Sequence, residues 1–150
     1  MSSKENPLIS VIIPNKDDWN FVLNAAKAIK NQTYRNLELI IIDSSSFHPD
    51  NLSCINELKE LFPLNLTIHQ SEQCYPGKAR NLGVSLSAGN YIAFMDAKTI
   101  PHQEWLHSYL TEIVSSSSDI NIGRFYSNLD DLNWLQKAIK ANTYGNILRN

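Results

Sequence analysis

GKARNLGVSLSAGNYIAFMDAKT, residues 77–99, decides the fold: it reads as a short helix, a glycine-marked turn and a buried strand that exits onto an acid. Ala79, Leu82 and Leu86 recur at helical spacing, Gly89 and Asn90 break the helix, and Tyr91 to Met95 is an apolar run of strand length. Asp96 follows that run directly. A carboxylate is costly to bury inside a strand, and ligands of open parallel α/β sheets gather outside the carboxyl ends of the strands. Position alone makes Asp96 a candidate site residue.

Outward on the N-terminal side, Leu8 to Pro14 (LISVIIP) is nearly continuous and β-branched, as a strand covered on both faces should be. Pro14 is expected to end it. Asp17 or Asp18 can cap a helix running to about Asn31, with Val22, Leu23, Ala26 and Ile29 on one face. Asn31 to Asn36 is a turn, and Leu37 to Ile42 is a second buried strand with Asp43 at its exit, in the place Asp96 takes later. After the small-residue loop Ser44 to Asp50, a second helix carries Leu52, Ile55, Leu58 and Leu61 on its inner face and stops at Pro63. Leu66 to His69 is a short third strand.

Outward on the other side, Pro101 suits the first turn of a helix, whose stripe is Trp105, Leu106, Tyr109, Leu110, Ile113 and Val114 and whose end frays over Ser115 to Ser118. Ile120 to Tyr126 reads as a fifth strand and Asp130 to Ala141 as a last helix with Trp134 facing inward. Strands alternating with helices imply an α/β fold, three αβα layers around a mostly parallel Rossmann-like sheet with right-handed crossovers. Its core should include Ile9, Val11, Ile13, Leu39, Ile41, Ile92 and Phe94.

Composition bounds the function. With 150 residues, 43% hydrophobic and 19% charged, the chain reads as one globular domain, 1–150. A net charge of -2 argues against nucleic acid as the main partner and leaves room for a small phosphorylated ligand. Cys54 and Cys74 are too few for a disulfide framework and show no zinc spacing. His48, His69, His102 and His107 read as surface or packing residues. Trp19, Trp105 and Trp134 read as core or rim. The polar start carries no secretory signal and no apolar run approaches a transmembrane span, so a cytoplasmic setting is expected and the Asn-x-Ser/Thr triplets at Asn31, Asn51 and Asn65 are read as chance.

Taken in order and spacing, VIIPNKDD, NQTYRNLELIIIDSSS and GKARNLGVSLSAGNYIAFMDAKT resemble the donor half of the family 2 glycosyltransferases, over about Ile9 to Leu110. That resemblance implies the GT-A fold and a nucleotide-diphosphate sugar whose sugar passes to a saccharide or lipid-linked acceptor. It commonly implies a divalent cation as well, Mn or Mg. By position, Pro14, Asn15 and Asp17 would line the base pocket, Asp43 would accept a hydrogen bond from the base, and Ser45 would lie beside it. Gly77 and Arg80 would stand near the nucleotide and diphosphate, and Asp96 would be the first acid of an Asp-x-Asp motif, near ribose and metal.

Elementary chemistry stands beside the likeness. A carboxylate at a strand exit can accept from a ribose hydroxyl or a base N–H. The planar Arg80 fork suits phosphate oxygens, and a helix start with glycine offers free N–H groups to an anion. Each residue also has a plain structural reading: Asp43 and Asp96 as caps of the following turns, Arg80 as a surface helix residue, Pro14 as a strand end.

The pattern is broken in two places. The second acid of Asp-x-Asp is replaced, giving Asp96-Ala97-Lys98, which sets the implied cation in doubt. Two readings of Lys98 stay open, an ammonium taking over part of the cation's role or a solvated loop lysine. The chain also ends early, so an acceptor half and a catalytic base are expected to be missing, and Asp130 and Asp131 look like a helix start. A non-catalytic nucleotide-binding remnant is the alternative reading. An unrelated dinucleotide-binding domain fits worse, because Pro14-Asn15-Lys16 stands where a Gly-x-Gly-x-x-Gly turn would follow the first strand.

Overall fold

The computed structural model describes residues 6–46, 48–72, 74–116 and 119–123, and it divides the chain into units 1–118 and 119–150. In the first unit β1 (Ile9–Asn15), β2 (Leu37–Asp43), β3 (Leu66–Gln70) and β4 (Tyr91–Phe94) form one sheet of order β3-β2-β1-β4. All three pairings are parallel. The helices α1 (Trp19–Lys30), α2 (Asn51–Leu61), α3 (Pro76–Leu86) and α4 (Trp105–Ser116) alternate with the strands. Among the described residues no helix is long and apolar enough to cross a membrane. In the second unit residues 119–123 form neither helix nor strand, so no fifth strand begins at Ile120. Its expected remainder and the helix expected over Asp130 to Ala141 lie outside the described residues.

β1 and β2 are apolar on both faces because both faces are covered. Ile9, Val11, Ile13, Leu39 and Ile41 pack with Val22, Leu23, Ala26 and Ile29 of α1, Leu58 of α2 and Leu106 of α4. On the opposite face Ile12, Ile40 and Ile42 meet Ala79 and Leu82 of α3. Three layers result. Full burial of these aliphatic side chains contributes about 1.5–3 kcal/mol each.

Pro14 does not end β1, which runs on to Asn15. Along β1 the even-numbered residues turn their backbone groups toward β4, as Ile12 does in accepting from Met95 N (3.1 Å), and the odd ones toward β2, as Asn15 does in accepting from Ser44 N (2.9 Å). Pairing with β4 stops at Ile12. The N–H that proline lacks would point where no ladder remains.

β4 is an edge strand whose phase differs from expectation. The register Ser10↔Ile92 and Ile12↔Phe94 puts Ile92 and Phe94 on the α3 face, but α3 covers only the β1 and β2 columns there. They are left 36% and 49% exposed, while Tyr91 and Ala93 turn to the larger core. α3 lies close for a specific reason: a Cβ at Gly83 would run into Ile12 Cγ2. Leu86, counted in the helical stripe, stays exposed beyond that contact. A Cβ at Gly89 would stand 2.7 Å from Ser10 N and 2.9 Å from Tyr91 O. That close approach lets Gly89 N donate to Ser10 Oγ (2.9 Å), which in turn donates to Glu38 Oε1 (2.5 Å).

Two helix starts also differ. Asp18 precedes α1 without a side-chain cap; instead Asn15 Oδ1 accepts from Asp18 N (3.2 Å). α4 begins at Trp105 rather than Pro101, fixed by the fully buried Gln32, whose Oε1 accepts from Leu106 N (3.1 Å) while its Nε2 donates to His102 O (2.7 Å). In α2 the inner face is set by Cys54 and Leu58, with Leu52 48% exposed.

Candidate functional site

In a right-handed βαβ unit each helix starts near the carboxyl edge of the sheet and the next strand returns there. Four strand exits therefore meet along one edge. β1 delivers Asn15 and the turn 16–18, β2 delivers Asp43, β3 delivers Gln70, and β4 leads into Asp96 and Lys98. Asp43 and Asp96 stand at this same edge, with the β1 exit between them.

Around Asp43 the side chains are buried and ordered by hydrogen bonds. Asp43 Oδ1 accepts from Asn15 Nδ2 (2.9 Å), Ser45 Oγ (2.5 Å) and Ser45 N (3.2 Å). Ser45 Oγ also accepts from Asp17 N (2.6 Å). Gln70 Nε2 donates to Ser45 O (2.9 Å), which ties the loop to β3. Asp17 adopts φ 59, the left-handed region that Asp tolerates better than most residues. All three bonds fall on Oδ1, so Asp43, only 3% exposed, keeps Oδ2 without a partner among the described residues. The carboxylate lines a recess of about 40 Å³ together with Trp19, Ser46, His48, Leu52 and Gln70.

The second cluster is charged and more open. Arg80 reaches from α3 and its Nη2 donates to Asp96 Oδ1 at 2.6 Å. Lys98 Nζ lies 3.0 Å from Asp18 Oδ2 and 5.3 Å from the centre of the Phe21 ring. Gly77 sits in the first turn of α3, where a Cβ would meet nothing within 4 Å. Pro14 is half-buried within β1 and makes no polar contact with these groups.

The structure thus brings Asn15, Asp17, Asp43 and Ser45 into one hydrogen-bonded group and Arg80 with Asp96 into another. It does not join Arg80 to Asp43. The pairing of Lys98 with Asp18 and Phe21 was not legible in the sequence, because three strands and two helices separate those partners. Cys54 is buried and Cys74 half-buried, both as free thiols.

A divalent cation takes oxygen ligands, chiefly carboxylates. Here Asp96 Oδ1 is already bonded to Arg80, and the position two residues on presents an ammonium. Among the described residues no group of three or more His, Cys, Asp or Glu is arranged to hold a metal ion. A lone Asp96 carboxylate, bonded to Arg80 and with Lys98 two residues on where a second acid would stand, is a poor donor set for a divalent cation.

Comparison with known proteins places the fold. The profile of glycosyl transferase family 2 matches residues 10–150. The chain belongs to that family. Glycosyltransferase GlyG of Streptococcus pneumoniae serotype 4 is 27% identical over 124 residues, 80% of this chain and 40% of GlyG. The family 2 chain thus spans well under half of that relative's length. S. aureus TarS 1-349 in complex with UDP-GlcNAc superposes with a TM-score of 0.65 at 20% identity, covering 83% of this chain and 38% of TarS 1-349. The mannosyltransferase PcManGT from Pyrobaculum calidifontis, in complex with GDP-Man and Mn2+, gives 0.58 at 23% identity over 65% of this chain and 30% of its own. At those identities the likeness is one of fold, and the fold of this family 2 chain is GT-A.

Proposed function

We propose that this family 2 chain binds a nucleotide-diphosphate sugar at the carboxyl edge of its sheet, as the donor side of a sugar transfer to a saccharide or lipid-linked acceptor. The observation that carries the reading is Asp43: a buried carboxylate at a strand exit, oriented through one oxygen by Asn15 and Ser45, with the other oxygen left for a ligand N–H. A uracil or guanine N–H supplies such a donor. Charge-assisted bonds of this kind are among the stronger ones in a partly dry cleft.

The recess over Asp43 is far below the roughly 300 Å³ at which small-molecule pockets begin. A base would enter by turning aside Leu52 and His48, both exposed at its mouth. On this reading Arg80 and Gly77 face the diphosphate, Asp96 the ribose, and residues 1–150 make up one donor-binding domain.

Thermal unfolding with and without UDP or GDP tests it. One of the two should stabilise the chain, by about 2.7 kcal/mol when free ligand stands at a hundred times its Kd. No stabilisation by either nucleotide would remove the reading. Hydrolysis of a UDP- or GDP-sugar then separates a turning-over donor site from one that only binds.

A further inference from the structure

The disagreement between the Asp96 region and a divalent cation has a constructive side. We infer that Lys98, together with Arg80, supplies the positive charge beside the diphosphate, so that this chain binds a nucleoside diphosphate without a divalent cation. The inference rests on the nucleotide-sugar reading of the carboxyl edge.

Lys98 has two neighbours that bear on where its ammonium sits. Its ammonium is held from two sides, by the Asp18 carboxylate at 3.0 Å and over the Phe21 ring at 5.3 Å. Phe21 is 48% exposed on the first turn of α1, with the ammonium above its ring. A cation over a ring face is attracted by the ring quadrupole. Together the two contacts position a side chain that is still 62% exposed.

The donor count leaves room for a ligand. An ammonium has three N–H donors and a guanidinium five, and in this structure Asp18 and Asp96 each face one cation through one oxygen. Asp96 engages Arg80 through Oδ1 and keeps Oδ2, but a dication there would have an ammonium, Lys98, two residues on in place of a second acid. Replacing the second acid by lysine reverses the sign of the charge there, which removes the attraction that would gather a metal and installs one for phosphate oxygens.

Calorimetric titration of the whole chain with UDP and with GDP, first in EDTA and then in Mn2+ or Mg2+, tests the inference. The expected result is a Kd that changes by less than about threefold between the two conditions. K98R should bind in EDTA like the parent chain, K98A should bind about tenfold or more weakly, and K98D should lose affinity in EDTA and regain it with Mn2+. Lys98 is exposed, so circular dichroism should be unchanged in all three variants.

A parent chain that binds more than about tenfold tighter with Mn2+ overturns the inference. So does K98A binding as well as the parent chain in EDTA, or a K98D affinity indifferent to Mn2+. The nucleotide-sugar reading survives each of those results. Failure of UDP and GDP to bind in every condition ends both.

Discussion

Asp43 orders its loop through Oδ1, and on the proposed reading Oδ2 would meet the ligand, so the two tasks can be separated. In Asp43→Asn the remaining carbonyl oxygen can still accept from Ser45 and Asn15, but an amide N–H then faces the ligand where an acceptor is needed. The fold should persist within about 1–3 kcal/mol in urea unfolding, the usual cost of disturbing a buried polar group, while nucleotide affinity falls about tenfold or more in calorimetry. A variant that binds as well as the parent would remove Asp43 from the site. At Tyr34 the residue scale shows in pH dependence. Its hydroxyl donates to Pro7 O (2.5 Å) and its pKa is raised above 10.0, first by burial and then by the nearby Tyr91. The fold holds the protonated form more strongly than the unfolded chain does. That stabilisation is complete below pH 10 and is lost as the pH climbs through the raised value. Tyr34→Phe should cost about 1 kcal/mol at neutral pH and should unfold with a smaller loss of stability between about pH 9 and about pH 11 than the parent chain.

At the scale of the element, β4 sorts its side chains by which helix reaches over them. Met95, at the strand's exit, is 5% exposed in the larger core and Phe94 is 49% exposed on the α3 face. Met95→Ala should cost about 2–5 kcal/mol, and Phe94→Ala less than about 1 kcal/mol, both read from urea midpoints. The reverse ranking would mean that β4 is shifted by one residue, which would swap its two faces. From β1 to α4 element existence was legible from periodicity, though not for the strand expected from Ile120, and face was not. A run such as Tyr91 to Met95 is apolar at every position, so alternation gives no phase. The phase follows from register with β1 and from the narrow coverage that Gly83 and Ala79 allow α3. Helix starts were misread for a related reason. The side chain at the start of α1 is Asn15, three residues before Asp18 but still within β1. The one at the start of α4 is Gln32, too distant in sequence for local capping rules to reach.

For the whole molecule, a sheet with β1 and β2 in the middle and β3 and β4 at its edges sets an order of stability. Amide exchange should be slowest over Val11–Ile13 and Leu39–Ile42, the fully buried residues, and faster by a wide margin in β3 and β4. Equal protection across all four strands would contradict that arrangement. The alternation of strand and helix, the acids at two strand exits and the loss of the second acid at Lys98 were all determined by the sequence itself. Each depends on local patterning, on which side chains a parallel strand can bury and which it must expel at its end. Only the tertiary structure decided that Asp43 is oriented by Asn15 and Ser45, that Arg80 takes Asp96, and that Lys98 rests between Asp18 and Phe21. Apart from the local bonds of Ser45 to Asp43, those contacts are made across crossovers, between residues that meet only after helices have carried the chain back to one edge of the sheet, and hydrogen bonding and charge pairing act over ångströms of space rather than positions in a sequence.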